Sequence, residues 1–447
     1  MHFTKICVLG LGYIGLPYAA TFATNGIHVV GVDINPEVIA TLQSGGIHIH
    51  EPSLRTVVQA AIKSGNLTVS TKPEEADAFI IAVPTPFKVE TSQAEDAPLE
   101  LPPPTSKPFP RADLSYVTAA TEAIVPYLRR GNLVMLESTS PPRTTVDVVA
   151  PILEKSGLKA GADFHLAYTP ERVLPGQILR ELIENARVLG GIDHASTEAA
   201  RDLYSVFVRG QIVLTDATTA EMVKLMENTT RDINIAIANE FSRLADRFGV
   251  DVWEAIGIAN LHPRINILRP GPGVGGHCIS VDPWFLVEAA PEIATLIRTA
   301  RQVNDAQPHF VVELVERSLG HLAGRRIAAL GLAFKPDVDD LRESPAVEIC
   351  QALAARGALV SAYEPFKPQA RFDGFESTPS LAAALSHAEL ILILVGHTAF
   401  KELVPNQLAG QTPARTVIDC VNVCERAAWQ KAGFTIYRLG DGKLHDA

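Results

Sequence analysis

The sequence predicts an α/β protein in which two doubly wound domains are joined by a long central helix and a small helical domain. Three observations carry this expectation. The N-terminus runs strand, glycine-rich turn, helix, strand; a pattern with few helix breakers spans Thr218 to Phe248; and the α/β grammar restarts after Pro308. At 447 residues the chain exceeds what one hydrophobic core normally serves, so domains over 1–215, 216–307 and 308–447 are expected.

The first strand is Lys5 to Leu9, followed at once by GLGYIG and a helix to about Asn25. Ile27 to Asp33 reads as the second strand, and Asn35 with Pro36 as the next helix N-terminus. Gly10, Gly12 and Gly15 form GxGxxG between strand and helix, with Asp33 closing the second strand. In that setting the first glycine makes the turn, the second admits a pyrophosphate to the helix N-terminus, and the third lets helix and strand pack closely. The acid accepts hydrogen bonds from ribose hydroxyls, so a dinucleotide in a Rossmann-like domain is expected. Aspartate at 33 favours NAD over NADP, because a carboxylate repels a 2′-phosphate.

Further strands are read at Ala78 to Val83, Leu133 to Leu136, Phe164 to Tyr168 and Arg187 to Leu189. Between Lys88 and Pro110 a proline-rich, acidic stretch lacks apolar periodicity and reads as a surface insertion. Met222, Leu225, Met226, Ile233, Ile237, Phe241 and Leu244 then recur at helical spacing, giving a helix of about 30 residues. A helix that long links domains or packs against another subunit; the alternative is an ordinary amphipathic core helix. Beyond Pro308, Arg326 to Leu330, Ala346 to Arg356 and Ala358 to Tyr363 read as strand, helix, strand. AELILILVGH near 388–397 echoes ADAFIIAVPT near 76–85, so the ends look like weakly similar doubly wound folds.

The net charge is −11, from 39 basic and 50 acidic residues, with no long basic run. Nucleic acid and anionic membrane are therefore not expected partners. Five scattered cysteines without a CxxC pair point to free thiols in a reducing cytoplasm and to no metal site. The longest aliphatic run, Leu390 to Val395, is far shorter than the ~20 residues a bilayer span requires.

One cysteine stands apart. In RPGPGVGGHCISVDPW, Arg269 to Trp284, Cys278 follows a run of glycines and precedes Asp282 by four residues. Glycines allow close approach, so the thiol reads as displayed; an ordinary buried cysteine is the competing reading. Lys224 and Asn228 sit at i, i+4 on the long helix, and Glu171 with Arg172 follows a strand. A thiol, an amine, an amide and two carboxylates are the groups that covalent oxidation of an aldehyde needs. Taken singly, Lys224 reads more readily as a solvated helix lysine and Glu171 as a turn acid.

GLGYIGLP, EPSL, VPTPF, ESTSPP, PERVLPG, EMVKLMENTTRDINIAIANE, HPRINILRPGPGVGGHCISVDPW, ARQVND and GLAFKPDVDDLRESPA, in this order, resemble the UDP-glucose/GDP-mannose dehydrogenase family. The likeness is greatest to its branch acting on UDP-N-acetyl-D-mannosamine, which serves bacterial surface polysaccharide. The resemblance implies a four-electron oxidation of the sugar C6 alcohol with two NAD⁺, through a thiohemiacetal and a thioester on Cys278. It implies Lys224 as general acid/base and oxyanion partner beside Asn228, Asp282 in proton transfer, and Glu171 in thioester hydrolysis, with Thr139 in the same site. For NAD it adds Tyr13, Ile14, Thr85, Thr139 and Arg342 to the glycines and Asp33. For a UDP-N-acetylhexosamine it points to Arg172, Val173, Lys224, Asn228, Arg231, His262, Arg264, Gly273, Phe334 and Lys335, and it implies a homodimer through the central helix. Arg342 lies in the third domain, so closure of the end domains is implied as well.

Three departures qualify the likeness. Pro175 stands where UDP-glucose members carry glutamate, which favours an N-acetylated sugar. Arg143 replaces a common glycine and is expected to alter the loop beside Thr139. The insertion at Lys88 to Pro110 is longer than usual. The same chemistry on UDP-N-acetylglucosamine or UDP-N-acetylgalactosamine, a two-electron hydroxyacid dehydrogenase, and a non-catalytic nucleotide-sugar binding protein are the alternatives.

Overall fold

A computed structural model describes residues 1–49, 51–88, 110–174 and 176–444; Pro175 and the interior of the insertion lie outside them. The chain divides into two compact units. One comprises the described parts of Met1–Gln93 and Phe109–Glu227 with Trp284–Pro291, the other Asn228–Pro283 and the described part of Glu292–Ala447.

The first unit is built on eight strands: β1 (Lys5–Leu9), β2 (His28–Val32), β3 (Leu67–Ser70), β4 (Ala78–Ile81), β5 (Leu133–Leu136), β6 (His165–Tyr168), β7 (Arg187–Gly191) and β8 (Ile212–Asp216). Their spatial order is 3-2-1-4-5-6-7-8. A central parallel strand is covered on both faces, and β1 shows how the pleat divides it. Ile6 and Val8 enter one core, with Val29 and Ile80, while Cys7 and Leu9 enter the other, with Phe79 and Ile81. The sheet is not wholly parallel: β7 runs antiparallel to β6, after the helix Ile178–Glu184. The helix Pro36–Gln43 begins as its sequence suggests, with the Asn35 side chain accepting from the Glu37 N–H and proline in the first turn.

The central helix, Ala217–Phe248, has 32 residues and is about 48 Å long. Its burial inverts the usual amphipathic pattern. Glu221, Asp232, Asn239 and Ser242 are wholly buried, whereas Ile237, Phe241 and Leu244 are more than two-fifths exposed. Of the apolar stripe read from the sequence, Met222, Met226, Ile237, Phe241 and Leu244 face outward, continued by Phe248 at 74% exposure, while Leu225 is wholly buried. Among the described residues no helix is long and apolar enough to cross a membrane.

The second unit carries six parallel strands, β9 (Arg326–Leu330), β10 (Leu359–Tyr363), β11 (Glu376–Ser377), β12 (Leu390–Ile393), β13 (Thr416–Asp419) and β14 (Thr435–Arg438). The order 11-10-9-12-13-14 reverses between β9 and β12. Such a reversal opens a crevice at the carboxyl ends of the strands, where doubly wound folds bind ligands.

Candidate functional site

The glycine turn after β1 distinguishes its three glycines physically. Gly10 has φ +92°, and a Cβ there would lie 2.4 Å from the Ala82 carbonyl oxygen; a Cβ on Gly15 would lie 1.8 Å from the Gly10 carbonyl oxygen. A Cβ on Gly12 would meet nothing within 4 Å. Two glycines are therefore required by packing, and the middle one borders open space, the arrangement a pyrophosphate needs. Asp33 accepts the Leu11 N–H at 3.0 Å and the Asn35 N–H at 2.9 Å, which fixes the carboxylate at the end of β2 beside this turn. Tyr13 and Ile14 are half-buried against the adjoining core. At the ends of β4 and β5, the Thr85 hydroxyl donates to the Thr139 carbonyl at 2.7 Å. These residues fit NAD.

The Thr139 loop is held by a residue the sequence reading did not single out. Buried Glu221, on the central helix, accepts the N–H of Arg143 at 2.6 Å and both the N–H and hydroxyl of Thr145, at 2.8 and 2.6 Å. Burial raises the Glu221 carboxyl above its ordinary range, against the bonds from Thr145 and Arg143. Lys224 lies one turn further on, half-buried, and its amine makes no hydrogen bond among the described residues. Glu227 follows and pairs with Arg172, accepting from its Nε at 3.1 Å.

Glu171 is buried and occupied. Its Oε1 accepts the N–H groups of Arg172 and Val173 at 2.6 and 2.7 Å, and its Oε2 accepts the Tyr18 hydroxyl at 2.6 Å. Tyr18 in turn receives a bond from Arg187, whose guanidinium lies over the rings of Tyr18 and Tyr204 at 5.4 and 5.6 Å. Tyr204 donates to Glu137, and burial pushes that carboxyl up to about 8, Arg187 opposing and Glu171 reinforcing the shift. Tyrosines inside an apolar helical pattern read as core, so beyond Glu171 itself only the acid of ESTSPP could have signalled this network.

In the second unit, Cys278 immediately precedes a helical turn: its carbonyl accepts the N–H of Val281 at 3.0 Å and of Asp282 at 2.8 Å, where the helix Asp282–Ala289 begins. A helix N-terminus favours negative charge, which suits a thiolate. Cys278 is half-buried, whereas the other four cysteines are buried; burial raises the Cys7 thiol to about 12 and also raises those of Cys350, Cys420 and Cys424. Asp282, 2% exposed, accepts from the Asn228 amide at 2.5 Å.

Two of the glycines before Cys278 border a neighbouring segment of the chain. A Cβ on Gly275 would lie 2.5 Å from the Glu343 carbonyl oxygen, and one on Gly276 would lie 2.9 Å from the Phe334 ring. They make room for the segment after β9. The Gly276 N–H donates to the Arg342 carbonyl at 3.2 Å, while the Arg342 guanidinium forks onto Asp340 at 2.6 to 3.2 Å.

At the reversal between β9 and β12 lies a cavity of about 420 Å³, lined by Arg269, Gly273, Phe334, Lys335, Lys401 and Asn422 among others. Three cations on an otherwise largely apolar wall suit a nucleoside diphosphate. Here the acid after the second strand is sealed: wholly buried Glu364 accepts the N–H groups of Leu332 and Ala333 and faces His397 Nε2 at 3.1 Å. Despite burial, the His397 contact and the N–H groups of Leu332 and Phe366 hold its carboxyl below the usual range. Arg231, His262 and Arg264 are exposed and stand outside this cavity lining.

Comparison with known proteins agrees with this geometry. Three domain descriptions of the UDP-glucose/GDP-mannose dehydrogenase family match in order: the NAD binding domain over residues 4–208, the central domain over 218–306 and the UDP binding domain over 328–426. A UDP-N-acetyl-D-mannosamine dehydrogenase of Methanocaldococcus jannaschii is 46% identical over 442 residues, 98% of this chain and 97% of the relative. An NDP-N-acetyl-D-galactosaminuronic acid dehydrogenase of Ralstonia nicotianae is 48% identical over 429 residues, 94% of this chain and 96% of that one. The solved structure of a UDP-D-ManNAc dehydrogenase from Pyrococcus horikoshii superposes with a TM-score of 0.86 at 39% identity, covering 98% of this chain and 99% of the other.

Proposed function

Because the chain belongs to the UDP-glucose/GDP-mannose dehydrogenase family and is an NAD-dependent dehydrogenase, we propose that it oxidises the C6 alcohol of UDP-N-acetyl-D-mannosamine to the carboxylate. The observation that carries the covalent route is Cys278 at a helix N-terminus, one turn before a buried Asp282 bonded to Asn228.

When bound, NAD⁺ supplies the hydride acceptor, twice per sugar. The chain's own residues do the rest. Lys224, on the helix one turn before Asn228, takes the hydroxyl proton as the aldehyde forms, and its ammonium stabilises the oxyanion at C6. Cys278 sulfur adds to the aldehyde carbon, giving a thiohemiacetal, which loses a second hydride and a proton to become a thioester. Water then adds to the thioester carbon and the thiol leaves, with Asp282 and Lys224 moving the protons and Asn228 orienting Asp282. Glu171 is assigned to this hydrolysis, its reach set by the Tyr18 hydroxyl it already accepts. Thr85 and Thr139, with Gly10, Gly12, Gly15, Tyr13, Ile14 and Asp33, form the NAD cradle, and Arg342 is assigned to NAD by the family resemblance. Arg172 and Val173, with Arg231, His262 and Arg264, are assigned to substrate alongside Gly273, Phe334 and Lys335.

The outward apolar stripe of Ile237, Phe241, Leu244 and Phe248 supports a homodimer through the central helix, since such a surface is seldom left in water. The product is an activated uronic acid, a donor for surface polysaccharide assembled from the cytoplasmic side. The Ralstonia relative favours a second reading, the same chemistry on UDP-N-acetylgalactosamine; UDP-N-acetylglucosamine is the third member of the panel. Purified protein with NAD⁺ and each of these sugars, plus UDP-glucose, tests the choice. The highest kcat/KM is expected for the mannosamine sugar, and a preference for UDP-glucose overturns the assignment.

A further inference from the structure

From Asn228, which the steps above use to orient Asp282, a polar chain continues through buried residues that those steps leave without a task. Asn228, Asp232 and Asn239 stand at i, i+4 and i+11 on the central helix, within about 40° of one another around its axis. Asn228 holds Asp282 at 2.5 Å. Asp232, wholly buried, accepts from Arg301 Nη1 at 2.5 Å and from Asn304 Nδ2 at 2.8 Å. Asn304 accepts the Asn239 amide at 2.9 Å, and Asn239, also wholly buried, accepts the N–H of Gly271 at 2.9 Å.

The bonds run in one direction. A carboxylate can only accept and a backbone N–H can only donate, so Asp232 fixes which way the Asn304 amide points, Asn304 fixes Asn239, and Asn239 is left with its oxygen toward Gly271. Turning either amide over strands buried donors against donors, which is costly. Arg301, Asn304 and Asp305 come from ARQVND, a motif to which the reaction gives no task.

Gly271 and Asp282 are the two ends of the Cys278 loop. The asparagines that hold them are about 16 Å apart along the helix, whereas the segment between could extend to about 36 Å. The loop is therefore not stretched taut, and its position depends on its two ends together with the Gly276–Arg342 bond midway. We propose that Asn239 is a positioning residue for Cys278: its bond to Gly271 fixes one end of the loop while the Asn228–Asp282 bond fixes the other. The inference rests on the reading of Cys278 as the nucleophile, but the anchor can be measured without it.

The test compares Asn239→Ala with Ser242→Ala, a control on the same helix. Ser242 is wholly buried and bonds the Asn239 carbonyl and Gln307, not the loop. Hydrogen exchange over 270–282 and iodoacetamide labelling of Cys278 are read by mass spectrometry beside kcat and KM for NAD⁺. In Asn239→Ala, exchange and labelling are expected to rise by about tenfold or more, and kcat to fall by about tenfold with KM within twofold. Ser242→Ala should leave all three within twofold. If Asn239→Ala does not fold, Asn304→Ala, which frees the Asn239 amide to turn, is read in the same way. Exchange and labelling unchanged in the anchor variant, kcat unchanged despite a loosened loop, or a control that reproduces the effect, each overturns the proposal. Absence of NADH from the wild-type protein on every sugar sinks the nucleophile reading instead, and exchange and labelling then decide the anchor alone.

Discussion

Asn228 donates its side-chain amide to Asp282 Oδ2 at 2.5 Å, tying the central helix to the residue one turn beyond Cys278. The bond orients a carboxyl group that is 2% exposed, in a nearly water-free place where a charge interacts strongly. Asp282→Asn keeps the shape and removes the charge. We expect kcat to fall by about 10² to 10⁴, the usual worth of general acid–base catalysis, with KM for NAD⁺ little changed. Steady-state kinetics checks this, and activity within threefold of wild type would remove Asp282 from proton transfer.

The three glycines of the first turn should fail differently. Gly15→Ala drives a Cβ to 1.8 Å from the Gly10 carbonyl oxygen, so the ligand-free protein should lose about 1–3 kcal/mol or more by denaturant unfolding. Gly12→Ala enters open space, so the same measurement should show little change while KM for NAD⁺ rises by about tenfold or more. Equal instability in both variants contradicts the division of roles.

Glu137 gives a pH dependence with a definite sign. Burial raises its carboxyl from 4.5 to about 8 in the folded protein, so the unfolded chain releases the proton first as pH rises. The stability this group contributes is complete below pH 4.5 and is lost between about 4.5 and 8. Glu137→Gln mimics the protonated side chain and should lose less stability over that window than wild type. Thermal midpoints from pH 5 to 8 read the difference, and parallel slopes would exclude the group.

Arg143 sits at φ +74°, where glycine is relaxed and a side chain is strained. Its ion pair with Asp147 joins two largely exposed groups and contributes little. Arg143→Gly should therefore stabilise the protein by about 0.5–1 kcal/mol, after the greater entropy of the unfolded glycine is set against the relief of strain. A lower thermal midpoint for the variant contradicts this.

Much of the fold was legible because parallel strands buried on both faces are short apolar runs, and Lys5 to Leu9, Leu133 to Leu136 and Arg326 to Leu330 read within the chain as they lie in the sheets. The antiparallel β7 was not, because direction depends on the connection through Ile178–Glu184 and not on composition. The Cys278 loop was conspicuous through its glycines, yet their reason was hidden: Gly275 and Gly276 yield to Glu343 and Phe334, about 60 residues on, and a pairing so distant leaves no local trace. Asn239 and Asn304 escaped notice for a related cause. Polar residues on a helix read as solvent-facing, and only the structure reveals that the central helix buries Asp232, Asn239 and Ser242 while exposing Ile237, Phe241 and Leu244.

The number of electrons removed and the sulfur that holds the half-oxidised sugar define the proposed reaction. With UDP-N-acetyl-D-mannosamine limiting and NAD⁺ in excess, wild-type protein should form two NADH per sugar, and Cys278→Ala should lose that turnover. One NADH per sugar, with activity surviving in Cys278→Ala, contradicts the account.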